Sequence, residues 1–305
     1  MKLFAPRYYR KFKCIAGECR HSCCVSWEID VDADALSRYR ALGEAGEEIL
    51  KSIDFGETPH FCLTDTERCP HLNSEGLCRI IIQHGEGYLS QICREHPRFY
   101  NSSPFATALG VGMACEAAAK LILSSDDYMI FEDASDGGAL PLAARFAFRK
   151  ILGLYKILSN RAIAYNERLS RLWNICGISP RCFTDEEWRG VISELEFIDE
   201  KNRELFYAYS TAVEAKNATE EIYSERALAY FLYRHCFAAK KRAEFLRGAA
   251  FAFFCERLYA SLLKNADLAG EDEAFELARK ISEELEYSTD NTDFISRAAL
   301  NASRH

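Results

Sequence analysis

The residues with the clearest chemical potential are cysteines gathered in the first 115 positions, which hold nine of the chain's 13. Thiolates are soft ligands that bind Zn²⁺ or the iron of an iron–sulfur cluster. We predict a metal centre whose favoured ligands are six of these cysteines: Cys19, Cys23, Cys24, Cys69, Cys78 and Cys93.

The spacing of these cysteines favours an iron–sulfur cluster, with zinc as the alternative. A structural zinc site usually carries two Cys-x-x-Cys pairs, and the sequence contains none. A cluster is larger than one ion and accepts ligands from several loops, which fits the uneven spacing and the adjacent Cys23–Cys24 pair. Cys14 is intermediate between ligand and packing residue. The other cysteines are predicted to be small core residues: Cys62, Cys115, Cys176, Cys182, Cys236 and Cys255.

The elements that carry these cysteines are predicted to be short and loop-rich. Turn formers punctuate residues 54–80, and loops of this kind gain folding free energy from a bound metal. A helix is predicted over 106–124, with Cys115 inside it. The turn-forming residues between positions 124 and 138 predict a domain boundary. The predicted fold is mainly α, with a cysteine-rich metal-cluster domain at 1–124 and an all-α helical domain at 139–305.

The second half of the chain has helical spacing of its apolar residues. One helix is predicted over 140–176, and a capping box at Thr184–Glu187 opens another that runs to about residue 215. Asn217 or Thr219 is expected to cap a third, and further helices are predicted over 246–264 and 272–287. The acidic run Glu283–Glu286 predicts a solvated helix face.

Bulk composition narrows the functional classes. The net charge of −8 among 305 residues argues against a dedicated nucleic-acid binder. No stretch approaches the roughly 18 uninterrupted apolar residues of a membrane helix, and the first residues lack the apolar core of a signal peptide. We therefore expect a cytoplasmic protein with no membrane partner, whose clustered thiols are metal ligands rather than disulfides.

An ordered set of motifs resembles the flagellin lysine-N-methylase family over residues 8 to about 115, and its first half also resembles zinc- or iron-chelating cysteine-cluster proteins. The motifs are Cys14-x2-Gly17-x-Cys19-x3-Cys23-Cys24-x2-Trp27-x-Ile29-Asp30, Phe61-Cys62, Cys69-Pro70-x-Leu72, Gly76-Leu77-Cys78-x-Ile80 and Cys93-Arg94-x-His96-Pro97-Arg98. The resemblance implies methylation of lysine amines on flagellin, as protein substrate, by S-adenosylmethionine. It also implies a [4Fe–4S] cluster.

The sequence limits how such a methylation would proceed. It lacks a GxGxG loop after a strand, which argues against an ordinary doubly wound methyltransferase domain. The Cys-x3-Cys-x2-Cys signature of radical enzymes is absent, which argues against a radical mechanism. Polar transfer needs a neutral, aligned lysine amine. The candidates for the base or for orienting the lysine lie near cluster cysteines in sequence: Glu28, Asp30, Glu95, His96 and Tyr100.

Other interpretations of the same residues stay open. Glu28 and Asp30 are typical of surface or capping positions, and His96 before Pro97 is typical of a satisfied loop residue. The whole chain could be a non-catalytic metalloprotein, in which an iron–sulfur or zinc site holds the N-terminal loops together and the helical domain binds a partner. It could also be a redox or iron sensor.

Overall fold

The computed structural model describes residues 2–302, apart from residues 27, 137, 140–141, 143–144, 146–147, 179–183, 212–213, 216 and 267–269. The chain forms two compact units. The cysteine-rich unit consists of Lys13–Phe99 and Cys115–Ala117, and the helical unit of Met1–Phe12, Tyr100–Ala114 and Ala118–His305. The boundary predicted between 124 and 139 lies within the helical unit, and the domain division based on it stays a prediction.

The chain is mainly α-helical, which confirms the predicted class. The helices described are α1 (Ala33–Ala41), α2 (Glu44–Lys51), α3 (Arg79–His84), α4 (Gln91–Glu95), α5 (Glu116–Ser124), α6 (Arg149–Leu158), α7 (Tyr165–Cys176), α8 (Asp185–Ser193), α9 (Glu200–Phe206), α10 (Ala218–Cys236), α11 (Arg242–Asn265), α12 (Glu271–Glu286) and α13 (Thr289–Ala302). Among the described residues, no helix combines the length and apolar character needed to cross a membrane.

Two small sheets accompany the helices. Their strands are β1 (Lys2–Pro6), β2 (Ile29–Asp30), β3 (Ile53–Asp54), β4 (His60–Phe61), β5 (Arg98–Ser102), β6 (Ala106–Val111) and β7 (Phe131–Asp133). One sheet has the order β5-β6-β1-β7, in which β1 runs parallel to β6 and antiparallel to β7. The other has the order β2-β4-β3 and is antiparallel.

The core of the cysteine-rich unit lies between its small sheet and the first helices. The sheet contributes Ile29, Ile53 and Phe61, and Tyr39 of α1 and Ile49 of α2 pack against them. Alternation along the two-residue strands places the apolar side chain inward and Asp30 or Asp54 outward. This modest core leaves most of the unit's remaining residues in loops.

The core of the helical unit is built on α10 and α11, which pack along each other. Gly248 in α11 permits this close approach, since a Cβ atom there would lie 2.2 Å from the carbonyl oxygen of His235. Aromatic contacts link β1 to the helices: the Phe4 ring packs at a tilt against Phe148 and edge-on against Tyr233, with ring centroids 5.5 Å and 6.2 Å away.

The helix predicted over 106–124 is wrong in its first half. Residues Ala106–Val111 form β6, which is buried along its whole length beside β1. Pairing on a buried sheet therefore outweighs the helix propensity of its alanines. Cys115 consequently stands just before α5 rather than inside a helix.

Longer helices predicted in the second half are interrupted, while their capping signals are confirmed. The 140–176 segment contains α6 and α7 with a break between them, and part of the predicted helix lies outside the described residues. The helix that begins after Thr184 ends at Ser193, and α9 follows separately. Thr184 forms the predicted capping box, and the Asn217 side chain accepts from the Glu220 amide at 3.0 Å. Helix caps are therefore easier to predict from the sequence than helix lengths.

The prediction of a solvated face at Glu283–Glu286 is wrong for two of its residues. Glu284 and Glu286 are almost completely buried. Glu286 Oε1 lies 3.1 Å from Arg234 Nε and 2.6 Å from His235 Nε2, and Tyr230 donates to its other oxygen at 2.9 Å. Burial opposes ionisation of Glu286, but the charge of Arg234 and the His235 hydrogen bond hold its pKa below the usual range.

Glu286→Gln should lower the free energy of unfolding by about 3–5 kcal/mol at pH 7, because it leaves Arg234, whose side chain is only 19% exposed, without its counter-ion. The lowered pKa of Glu286 means that this stabilisation exists above its unfolded pKa, near 4.5, and is lost as the pH falls below it. Urea unfolding at pH 7 and at pH 4 measures both effects.

Asp272→Asn is the matched control, since Asp272 lies on the same helix and its ion pair with Lys120 is exposed. It should cost less than about 1 kcal/mol. Equal costs for the two variants would contradict a stabilising role for the buried pair.

Candidate metal centre

Four cysteines from distant parts of the cysteine-rich unit interact with one another; they are called the Cys24 set and are Cys24, Cys69, Cys78 and Cys93. Burial raises the pKa of Cys69 to about 12, and nearby Cys24, Cys93 and Cys78 raise it further. Burial likewise raises the pKa of Cys93 to about 11, with added contributions from Cys24 and Cys78. The Cys78 pKa is also raised by burial and by Cys24. The four sulfurs therefore share one electrostatic environment.

A short antiparallel contact brings Cys24 beside Cys69. The Cys69 amide donates to the Cys24 carbonyl oxygen at 2.8 Å, and the Ser26 amide donates to the Glu67 carbonyl oxygen at 2.7 Å. Val25 and Arg68 form the bridge between these two hydrogen bonds. Residues 45 positions apart in the sequence are thus held next to each other by their backbones.

A hairpin-like loop then returns the chain from Cys69 to Cys78. Leu72 and Cys78 form an antiparallel bridge, and the Asn73 amide donates to the Leu77 carbonyl oxygen at 2.9 Å. The Asn73 side chain also accepts from the Leu77 amide at 2.8 Å, which fixes the turn between them. Both cysteines are therefore placed by hydrogen bonds rather than by a regular element.

The last member of the set, Cys93, is placed by α4. The carboxylate of Asp32 accepts from the Ala35 amide at 2.9 Å and from the Gln91 amide at 2.6 Å, so one side chain caps α1 and the start of α4. Cys78 and Cys93 both pack against the unit's apolar core. The core thus positions half of the Cys24 set.

A second group of four cysteines is called the Cys115 set and contains Cys14, Cys19, Cys23 and Cys115. Burial raises the pKa of Cys19 to about 11, and Glu116, Cys115 and Cys14 add to the increase. The pKa of Cys23 is raised by its hydrogen bond to Cys24 and by burial, with further contributions from Cys24, Cys14 and Cys115. These thiols interact with one another, and two of them had been assigned by sequence to packing or to an intermediate role.

Glu116 joins the two ends of the Cys115 set. Its carboxylate accepts from the Arg20 amide at 2.9 Å and from Arg20 Nε at 2.8 Å, and the Cys19 sulfur lies 3.7 Å from it. Partial burial opposes ionisation, but the Arg20 hydrogen bonds hold the Glu116 pKa below its usual range. Gly17 is required nearby, since a Cβ atom there would lie 2.7 Å from the Glu75 carbonyl oxygen.

The adjacent residues Cys23 and Cys24 are where the two sets meet. The Cys23 thiol donates a hydrogen bond to the Cys24 sulfur, which lowers the pKa of Cys24 to about 7 and raises that of Cys23. Arg68 also favours the Cys24 thiolate. Consecutive side chains in this turn therefore serve different sets.

The donors of both sets are sulfurs, which suits zinc or an iron–sulfur cluster. Across the described residues, no three Cys, His, Asp or Glu side chains converge as the ligands of one metal ion would. The sets are defined instead by longer-range interaction among thiols, and a polynuclear cluster spaces its ligands more widely than a single ion does. The twelve cysteines described form no disulfide.

The structure divides the six predicted ligands between the two sets. Cys24, Cys69, Cys78 and Cys93 fall in one, and Cys19 and Cys23 in the other, which also includes Cys14 and Cys115. Among the cysteines predicted to be core residues, Cys176, Cys236 and Cys255 are buried, whereas Cys62 is exposed, so its assignment is wrong. Cys182 lies outside the described residues. The one sequence signal that could have linked Cys115 to the other cysteines is Glu116, the acidic residue directly after it.

The candidate bases lie on separate elements. Glu28 and Asp30 are exposed beside His60, whose pKa is raised by its hydrogen bond to Thr58 and by these carboxylates. Glu95 and His96 are half-buried at the end of α4, two and three residues after Cys93. Tyr100 is 48% exposed and belongs to the helical unit. Their catalytic roles stay predictions.

Three curated proteins provide the functional comparison. Lysine-N-methylases of Salmonella typhimurium and Salmonella choleraesuis are each 25% identical over 138 residues, which is 42% of this chain and 34% of theirs. The flagellar biosynthetic protein FliU of Salmonella muenchen is 25% identical over 134 residues, 41% of this chain and 78% of FliU. The predicted family resemblance is confirmed. It is a similarity over part of the chain.

The matched region spans about a third of the length of the two lysine-N-methylases. No family model matches the sequence. No solved structure matches it either. The activity, substrate and cofactors therefore belong to the proposal below.

Asp32→Ala should destabilise the cysteine-rich unit by about 2 kcal/mol, since each lost helix cap costs about 1 kcal/mol. Amide hydrogen exchange should show faster exchange in α1 and α4, which carries Cys93. Asp34→Ala is the matched control on the same helix, because its exposed carboxylate caps neither α1 nor α4. Protection of α4 that is unchanged in Asp32→Ala would rule out this role for Asp32.

Proposed function

We propose that the chain is a protein-lysine N-methyltransferase that acts on flagellin with S-adenosylmethionine and holds a [4Fe–4S] cluster. The observation that carries the proposal is the similarity to lysine-N-methylases. The convergence of the Cys24 set supports the cluster part of it, since residues 24, 69, 78 and 93 interact despite their wide separation in sequence. The name of FliU, a flagellar biosynthetic protein, supports the flagellar substrate.

Cys24, Cys69, Cys78 and Cys93 would hold this cluster. Bound to four thiolates, the cluster would supply positive charge that favours their ionised forms and would tie together loops with little apolar core. Burial, and secondarily the neighbouring thiols, raise the pKa values of Cys69, Cys78 and Cys93, so their ionised forms are disfavoured without such charge. The cluster is therefore assigned a structural contribution to this unit.

The transfer itself is a polar displacement. The lone pair of a neutral lysine Nζ attacks the sulfonium methyl carbon, the carbon–sulfur bond breaks, and its electron pair stays on sulfur. The alkylated amine then carries the positive charge, so the proton that the lysine ammonium held beforehand must go to a base. Alignment of the two reacting groups in a site that excludes water supplies most of the rate increase.

Glu95 and His96 are assigned to that base or to orienting the lysine. Both are half-buried and lie two and three residues after Cys93, at the end of α4, whose start is fixed by Asp32. Partial burial places these side chains where a bound lysine could be shielded from water. Glu28 and Asp30, by contrast, are solvent-exposed on the small sheet beside His60.

Anaerobically purified chain incubated with methyl-labelled S-adenosylmethionine and flagellin should place label on lysine ε-amines, as mass spectrometry of digested flagellin measures. Flagellin with acetylated lysines is the control and should take up no label. Absence of label from unmodified flagellin, with iron-loaded protein, would leave the non-catalytic metalloprotein as the better account. Zinc in place of iron would contradict the cluster.

Glu95→Gln should lower kcat by about 10²-fold or more if Glu95 accepts the proton, with iron content unchanged. Glu48→Gln is the matched control, since Glu48 is an exposed carboxylate on α2 of the same unit. A kcat for Glu95→Gln equal to that of the control would contradict the role of Glu95 as the base. His96 would then be the remaining candidate, and His96→Gln tests it in the same assay.

A further inference from the structure

We propose that exposed basic side chains at the starts of α6 and α11 form a docking surface for an acidic segment of a protein partner. This surface is called the basic patch, and its members are Lys150, Lys240, Lys241 and Arg242, all of which are exposed. The proposal concerns a partner of the helical unit. It depends neither on methyl transfer nor on a metal centre.

The first argument is the local charge. Residues 149–150 and 240–247 contain six lysine or arginine residues and one carboxylate, Glu244, in a chain whose net charge is −8. None of the four members of the basic patch forms an ion pair with a carboxylate in the part of the chain that the structure describes. Like charges held close together repel one another, and an acidic partner would relieve that repulsion.

The second argument is the packing that brings two distant segments of the chain together. Lys150 Nζ lies 5.4 Å from the centre of the Phe245 ring, a cation–π contact between α6 and the first turn of α11. The Phe245 amide donates to the Lys241 carbonyl oxygen at 3.1 Å within that turn. The charges on α6 and at the start of α11 therefore belong to one surface.

The third argument is the behaviour of the carboxylate at this place. Glu244 Oε2 accepts from the Lys240 amide at 2.8 Å and from the Lys241 amide at 3.4 Å. The Lys240 hydrogen bond and the positive charges of the two lysines hold the pKa of Glu244 below its usual range, although its side chain is exposed. The surface thus stabilises a carboxylate of the chain itself. Because Glu244 bonds to main-chain amides, the two ammonium groups stay available to carboxylates of a partner.

The side chains around the basic patch favour a short acidic peptide over a nucleic acid. Proteins that bind single strands without sequence preference stack the bases on aromatic side chains. The one aromatic residue of segments 149–150 and 240–247 is Phe245, which is half-buried beneath Lys150. An extended polyanion would also reach beyond the patch and be repelled by the excess of acidic residues on the chain.

The same side chains favour an acidic peptide over a membrane. Helices that bind at a membrane surface insert large apolar side chains beside their basic ones. Segments 149–150 and 240–247 are described throughout, and no exposed large apolar side chain belongs to them. Attraction between exposed charges is screened beyond about 8–10 Å at physiological salt, so a partner must contact the patch directly. A short acidic segment can do so without touching the rest of the chain.

The test is binding of a fluorescein-labelled polyglutamate peptide to the full chain, measured by fluorescence anisotropy. The Lys150→Gln/Lys240→Gln/Lys241→Gln variant should bind the peptide about 10-fold more weakly or worse, because three of the four charges are lost. Added salt should weaken binding to the unchanged chain more than binding to the variant. A polyglutamine peptide of the same length should not bind.

The matched control removes three lysines elsewhere on the helical unit, Lys201→Gln/Lys264→Gln/Lys280→Gln. It lowers the net charge by the same amount and should change the Kd by less than about 2-fold. Thermal unfolding verifies that both variants are folded. Equal losses of affinity in the two variants would overturn the basic patch, because binding would then follow net charge alone.

Two further probes test the class of partner. They are single-stranded DNA and phosphatidylcholine vesicles with roughly one-third phosphatidylserine, each compared with the peptide on the unchanged chain and on the patch variant. Tighter binding of either probe than of polyglutamate, lost in the patch variant, would overturn the acidic segment as the occupant. Failure of polyglutamate to bind the unchanged chain at low salt would overturn the proposal as well. None of these outcomes bears on whether flagellin is methylated.

Discussion

The cysteine-rich unit depends on thiols that its backbone brings close together and partly or fully buries. Hydrogen bonds between main-chain segments bring Cys24 to Cys69, and a short loop brings Cys78 back to them. Burial and mutual proximity then disfavour the charged sulfurs, which is why their pKa values rise. A cation at this place would reverse that preference, so geometry that is costly without metal becomes favourable with it.

In the helical unit, a buried carboxylate is neutralised and hydrogen-bonded by side chains of the protein. Glu286 is enclosed between α10 and α12, where Arg234, His235 and Tyr230 satisfy its carboxylate. Charge and counter-charge are both supplied by side chains, and large aromatic residues fill the space around them. The chain thus contains one unit whose buried charges pair with each other and one whose thiols are partly or fully buried close to one another.

The sequence predicted the features that depend on residue type or on local hydrogen bonds. The cysteine-rich segment was visible from its composition, and Thr184 and Asn217 marked helix starts because a cap is formed within three residues. The two-set arrangement was not predictable, since it depends on which cysteines the folded chain brings together from positions far apart in the sequence. Cys115 was missed because the alanine-rich stretch before it reads as helix, and its pairing with β1 involves residues about a hundred positions away.

The chain leaves the cysteine-rich unit after Phe99 and returns to it at Cys115. The helical unit, in turn, includes the segment Met1–Phe12, which precedes the cysteine-rich unit in the sequence. During ribosomal synthesis, at roughly 5–20 residues per second, neither unit can close when its first residues emerge. Strand β1 cannot pair until β6 and β7 have been synthesised, and the cysteine-rich unit is incomplete until residue 115 has been added. A nascent chain that stops short of residue 115 therefore lacks segments of both units, so neither unit can be completed before that point of synthesis.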